Sequence, residues 1–144
     1  MRRLFSRPAR APAAPPTTGG GLVYAVGDIH GRLDLLQELI ETIRRDAAEP
    51  PTGRRPGLVF LSASVHRRPD SAGVVETVLG LREDRRFEGR FLKGNHEAQL
   101  LAFLADAGAG PAWMEFGGAD TLLSYGVRPP PGRSDLEAWE AAAR

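Results

Sequence analysis

The chain has 144 residues, enough for one modest domain with its own core, and its hydrophobic (42%) and charged (26%) fractions indicate neither disorder nor membrane embedding. Nineteen basic and eighteen acidic side chains leave a formal net charge of +1, too small for the broad positive field of a nucleic-acid binder. The absence of cysteine excludes disulfides and thiolate sites, so any metal must be bound by His, Asp, Asn or Glu.

The N-terminal stretch differs in composition from the rest of the chain. Residues 1–21 are rich in Arg, Ala, Pro and Gly and contain no acidic residue, which predicts a disordered basic tail before a domain at residues 22–144. No stretch approaches the roughly 20 apolar residues of a membrane-spanning helix, and no signal-type segment follows the first arginines. We therefore expect a cytoplasmic protein without a membrane or nucleic-acid partner.

The first structural unit begins with the apolar run LVYAV at residues 22–26, which predicts a buried strand ending at Gly27. After a turn, apolar residues recur at helical spacing from Leu33, with acidic and basic residues between them. This pattern predicts an amphipathic helix with buried positions at Leu35, Leu36, Leu39, Ile40 and Ile43.

Two further units repeat the scheme. Strands are predicted at residues 58–61 and 90–93, the second ending at Gly94, and each precedes a helical pattern. Asp70 or Ser71 is a plausible cap for the first of these helices. The predicted core positions of the two helices are Val74, Val75, Val78, Leu79 and Leu81, then Leu100, Leu101 and Leu104.

The alternation of strand and helix predicts an α/β fold in which ligands bind at the carboxyl ends of the strands. Beyond residue 108 the pattern is less regular. A short helix stopped at Gly126, a PPPG break and a capped helix at the end of the chain are predicted there, with no further strand.

Three loops follow the predicted strands and contain metal-binding or basic side chains. GDIHG at residues 27–31 offers Asp28 and His30, and GNHE at residues 94–97 offers Asn95 and His96. The simpler interpretations are a capped turn with a hydrogen-bonded imidazole for the first loop and a helix N-cap with a solvent-facing histidine for the second. The middle loop reads SASVHRRPDS at residues 62–71.

In these loops the sequence resembles the calcineurin-like metallophosphoesterases, and within them the bacterial phosphoprotein phosphatases that hydrolyse phosphoserine and phosphothreonine. Those proteins carry GDxHG, GDxVDRG and GNHE in this order and at similar spacing, and the resemblance covers about residues 22–127. It implies the N-terminal half of a sandwich of mixed β-sheets flanked by helices.

The resemblance also implies site roles. Asp28 and His30 would bind the first of two divalent metals, manganese or else iron or zinc, and Asn95 the second. His96 would be the general acid, and Arg67 would hold the phosphate of a phosphorylated protein or small phosphomonoester. For Arg67 a plain surface arginine is the simpler interpretation.

The chain departs from the family in two places. Ala63 stands where the family has a metal-bridging aspartate, and His66 replaces the acid that orients the catalytic histidine. His66 is either a substitute ligand or, more simply, a solvent-facing loop residue. No histidine follows His96 to supply the family's later metal ligands, so metal binding is expected to be weak or incomplete.

Two functions follow as alternatives. One is metal-dependent phosphomonoester hydrolysis of the serine/threonine phosphatase type. The other is an inactive, truncated or decayed remnant that acts, if at all, as a binding protein. The remnant would leave a sheet face uncovered, which predicts self-association through that face.

Overall fold

The computed structural model describes residues 18–50, 53–61 and 70–144. Residues 1–17 of the predicted tail lie outside this part of the chain. The middle loop, with Ala63, His66 and Arg67, also lies outside it. Of the tail, only residues 18–21 are described, and they form a turn in which the Gly21 amide donates to the Thr18 carbonyl over 3.2 Å.

Three strands and six α-helices make up the described part of the chain, with one 3₁₀ turn at Ala107–Ala109. The last three helices are short, with 5, 7 and 7 residues. In chain order the elements are β1 Val23–Val26, α1 Leu33–Asp46, β2 Gly57–Phe60, α2 Ser71–Arg82, β3 Glu88–Phe91, α3 Asn95–Ala105, α4 Gly110–Met114, α5 Gly118–Ser124 and α6 Leu136–Ala142.

The strands form one parallel sheet in the order β1-β2-β3, with Val23 opposite Gly57 and Gly57 opposite Glu88. The predicted α/β class is therefore confirmed, and residues 109–144 contain no strand, as the sequence predicts. The second and third strands start earlier than predicted, by one and two residues. Glu88 is included because its amide donates to the Pro56 carbonyl over 2.8 Å, which extends the ladder across charged residues.

Helix α1 buries only part of its predicted stripe. Leu36, Ile40 and Ile43 are buried in the core beneath the sheet, where each contributes about 1.5–3 kcal/mol. Leu35 and Leu39 are 50% and 40% exposed, so the prediction that they are core residues is wrong. These two leucines instead face a groove beside β1.

The first core cluster joins the sheet to α1 and α2. Leu58 and Phe60 of β2 are almost completely buried, because β2 is the central strand. In α2 the predicted stripe is only partly buried: Val74 and Leu81 are core residues, whereas Leu79 is 45% exposed. Asp70 occupies the N-cap position, but its side chain makes no capping hydrogen bond.

A second cluster holds the helices that follow β3. Its centre is Phe103 of α3, whose ring stacks on Trp113 at 4.8 Å and meets Trp139 edge to face at 6.0 Å. Leu101 and Leu104, predicted to be buried in α3, are about half exposed. Leu100 packs against the cluster and is partly buried.

The predicted helix ends after residue 108 are confirmed. Gly126 has a φ of 75° after α5, and the Val127 amide returns to the Leu122 carbonyl over 2.9 Å, as in a glycine-terminated helix. Asp135 caps α6 by accepting from the Ala138 amide over 3.1 Å. None of the helices in the described ranges has the length and apolarity needed to cross a membrane.

Candidate functional site

The loop after β1 is fixed by one buried residue between two polar ones. Ile29 is 9% exposed and belongs to the first core cluster, so its neighbours Asp28 and His30 are displayed at the carboxyl end of the sheet. The Arg32 amide donates to the Ile29 carbonyl over 3.2 Å and closes the turn. One buried residue thus holds two polar side chains at the carboxyl end of the sheet, where ligands bind in α/β folds.

His30 has an unusual backbone conformation for its residue type. Its φ is 49°, and Gly31 follows with a φ of 67°. A left-handed conformation costs a residue with a Cβ roughly 1 kcal/mol or more, and such strain persists only where the surroundings enforce it. Among the described residues, His30 is the one non-glycine residue with a positive φ, and backbone strain of this kind is concentrated at functional sites.

Asp28 and His30 lie within ion-pair distance. Nε2 of His30 is 3.4 Å from Oδ2 of Asp28, with the carboxylate side chain 54% exposed and the imidazole 27% exposed. The other ring nitrogen of His30, Nδ1, is buried and has no hydrogen-bond partner among the described residues. A buried polar atom left in this state costs about 1–3 kcal/mol.

His96 reaches the same place from the start of α3. Its ring meets that of His30 edge to face, with centroids 5.4 Å apart and an interplanar angle of 88°. His96 is 6% exposed, which argues against the simpler interpretation of a solvent-facing histidine. Its burial places it on the same helix face as Phe103, seven residues later.

The start of α3 is held by a short hydrogen bond of the loop. The Gly94 amide donates to Oε2 of Glu97 over 2.9 Å, so Glu97 satisfies the backbone at the start of the helix. Asn95, the first residue of the helix, is exposed next to buried His96. The structure therefore brings Asp28, His30 and His96 together, leaves Asn95 at the rim, and does not describe Arg67.

A groove of about 700 Å³ opens beside this cluster, between β1 and α1. Its wall is apolar where Ala25, Leu35 and Leu39 line it and polar where Asp28, His30 and Arg32 do. Sequence reasoning missed Arg32 and the two leucines as lining residues. The position of Arg32 directly after GDIHG could have indicated that it lies at the same site.

Arg32 is paired within its own loop. Its Nε and Nη2 donate to the two carboxylate oxygens of Asp34 over 2.8 and 2.6 Å. This pairing lowers the pKa of Asp34 to about 2 and raises that of Arg32. The guanidinium is thus held at the groove by Asp34, and part of its charge is compensated there.

The donor atoms of the site decide whether it fits a divalent cation. In the described ranges no three His, Asp or Glu side chains are grouped as metal ligands. Nε2 of His30 nevertheless lies 3.4 Å from Oδ2 of Asp28, so a carboxylate and an imidazole face the same space. These two side chains fit one cation, with further coordination positions left to water or substrate.

Comparisons of the chain with protein-family models, with curated proteins and with solved structures found no match. The chemistry of the site therefore rests on its own residues.

Proposed function

We propose that the chain carries a phosphomonoester site of the metallophosphoesterase type, related to that of serine/threonine phosphatases, at the carboxyl ends of β1 and β3. The observation that carries the proposal is the contact between two imidazole rings that are far apart in the sequence. The ring centroids of His30, in the loop after β1, and of His96, in the first turn of α3, are 5.4 Å apart. Two imidazoles and a carboxylate in one place are groups suited to metal binding and to proton transfer.

Each residue has a role in this proposal. Asp28 and His30 bind one divalent cation, manganese or else iron or zinc, which would supply Lewis-acid activation of the phosphate and of the attacking water. His96 protonates the departing alcohol, and its packing against His30 places its ring next to the ligand site. The fold that goes with this function is the N-terminal half of a two-sheet sandwich, with Asn95 at the second metal position and Arg67 at the phosphate.

The test is turnover of p-nitrophenyl phosphate by the purified chain during a calorimetric titration with manganese. The variants are Asp28→Asn and His96→Asn, with Glu137→Gln, an exposed residue of α6, as the matched control. We expect turnover with the control and at least about a hundredfold loss in each site variant, the usual range for a general acid or metal ligand. Thermal melts establish that His96→Asn, which changes a buried residue, still folds.

A wild-type chain that binds no manganese and shows no turnover contradicts this proposal. It favours the second candidate, an inactive remnant that acts as a binding protein. Ala63 at the position of the family's bridging aspartate, and His66 in place of the orienting acid, support that candidate.

The remnant makes a separate prediction about repair. The variant Ala63→Asp, His66→Asp restores the two acids that the family motif carries. We expect no recovery of turnover, because the later histidine ligands are still absent. A clear gain of manganese-dependent turnover in this variant contradicts the remnant hypothesis.

A further inference from the structure

A second cavity, of about 200 Å³, lies at the amino ends of β2 and β3, at the opposite end of the strands from His30 and His96. Three segments enclose it: the last turn of α1 with the residues after it, the approach to β2, and the residues before β3. The lining residues are Arg44, Ala47, Ala48, Pro50, Gly53, Arg54, Arg55, Pro56, Arg86 and Phe87.

Among the described residues, four arginines line this cavity and no carboxylate does. The side chain of Arg86 is oriented by Asp84: its Nε and Nη2 donate to the two carboxylate oxygens of Asp84 over 2.8 and 2.7 Å. Arg44 contacts the same carboxylate at 3.4 Å and Glu41 at 2.7 Å. Two of the four positive charges therefore have acidic partners outside the lining.

The other two arginines have no such compensation. Arg54 makes no hydrogen bond or ion pair with any described residue, and Arg55 makes one long hydrogen bond, to the Arg85 carbonyl over 3.5 Å. Both are exposed and adjacent in sequence at the mouth of the cavity. The local excess of positive charge is large for a chain with a formal net charge of +1.

Two further lining residues, Pro56 and Phe87, belong to the hydrogen-bonded part of the fold. Pro56 and Phe87 are buried, and the Glu88 amide donates to the Pro56 carbonyl over 2.8 Å. The Phe87 amide donates to the Asp84 carbonyl over 3.2 Å, which ties the residue that orients Arg86 to the same part of the fold.

We propose that this cavity binds a phosphate group, held by the guanidinium groups of Arg54 and Arg55 in the positive potential of Arg44 and Arg86. Guanidinium forks match the spacing of phosphate oxygens, and a dianion gains more than a monoanion from several nearby charges. The site is separate from the strand-end loops and does not depend on their proposed function.

Isothermal calorimetry with inorganic phosphate at low ionic strength tests the proposal on the full chain. The variant Arg54→Gln, Arg55→Gln is compared with Arg82→Gln, Arg128→Gln, which removes the same charge from exposed positions elsewhere. We expect about tenfold weaker binding in the first variant only, and weakening of the wild-type affinity by salt. Equal losses in both variants overturn the site, because they indicate a general effect of net charge.

The variant Asp28→Asn, His96→Asn serves as a second control. Phosphate binding that disappears in this variant and persists in Arg54→Gln, Arg55→Gln places the anion at the strand-end loops and overturns the proposal. Titration with a sugar phosphate identifies the source of the group: tighter binding than that of inorganic phosphate supports an esterified ligand in this cavity, and weaker binding supports the free ion.

Discussion

Asp84 is the acidic residue on which two arginines converge. It accepts from Arg86 through both carboxylate oxygens and from the Arg86 amide over 3.1 Å, while Arg44 lies further away. These contacts, with the Arg86 side chain first among them, lower the pKa of Asp84 to about 2. A depressed pKa means that the ionised form stabilises the fold above the unfolded pKa near 4 and that this stabilisation is lost as the pH falls toward 2.

The variant Asp84→Asn therefore loses stability at neutral pH. We expect a decrease of about 1–2 kcal/mol in the free energy of unfolding, because charge-assisted hydrogen bonds to Arg86 are lost while both arginines keep access to water. Urea melts at pH 7 and at several values between pH 4 and pH 2 measure it, and the difference from wild type should shrink over the acidic range. Glu83→Gln, its exposed neighbour, is the control, and a pH-independent difference contradicts the assignment.

Tyr24 predicts a pH effect at the alkaline end. Its hydroxyl donates to Oδ2 of Asp46 over 2.6 Å, and burial together with this carboxylate raises its pKa to about 12. The folded state therefore favours the protonated phenol, so its contribution to stability is present below pH 10 and is lost between pH 10 and 12. In a spectroscopic titration, Tyr24→Phe should remove the component with a midpoint near 12. A remaining component with that midpoint assigns the transition to Tyr125 and shows this prediction to be wrong.

The candidate site was partly readable in the sequence. Asp28, His30 and His96 stand directly after apolar strand patterns, and strand ends of a parallel sheet share one edge. The backbone strain at His30 and the edge-to-face contact of the two imidazoles were not readable, because they depend on how Ile29 and α3 pack. Arg67 stays a prediction.

At the scale of elements, helical periodicity identified apolar faces but not what covers them. In α3 three leucines were predicted as core positions, whereas Phe103 is the fully buried residue. Phe103 lies seven positions after His96 on one face, and the rings of Trp113 and Trp139 select that face by packing on it. Such a choice is made by partners distant in sequence, so the pattern of one helix cannot supply it.

Two glycines in helices should respond oppositely to the same substitution. A Cβ at Gly118, the buried first residue of α5, would lie 2.6 Å from Cδ2 of Trp113, so Gly118→Ala should destabilise the fold by about 1–3 kcal/mol. Gly80, exposed in α2, has no neighbouring atom within 4 Å of that position, so Gly80→Ala should stabilise by up to about 1 kcal/mol. Thermal denaturation of both variants tests the pair, and destabilisation by Gly80→Ala contradicts the packing of α2.

At the scale of the whole molecule, β1 is an edge strand of the sheet, paired on one side only among the described residues. Gly57 donates to the Leu22 carbonyl and Leu61 to that of Val26, so the backbone groups of Val23 and Ala25 point away from β2. Residues 22–26 contain no charge and no proline, the features that usually protect an edge strand. Val23 is 45% exposed beside the groove with Leu35 and Leu39.

Self-association through this edge is the corresponding prediction. Val23→Lys places a charge on the edge and should shift sedimentation velocity profiles toward the monomer at concentrations where the wild-type chain associates. Leu136→Lys, at a 55% exposed residue of α6, should leave association unchanged. A wild-type chain that stays monomeric over the whole concentration range refutes the prediction.

The order of the strands in the sheet has a consequence for synthesis of the protein. Because β1, β2 and β3 pair in the order in which they occur in the chain, every strand has its partner once residue 91 has been made. The helices from α3 onward have their own aromatic cluster and join the earlier part in contacts such as that of the Ala72 amide with Oγ of Ser124. A ribosome-bound chain whose β3 has left the exit tunnel while α4 is still inside it should therefore already protect its sheet from protease, while the groove beside β1 is open to any chaperone that recognises leucine side chains.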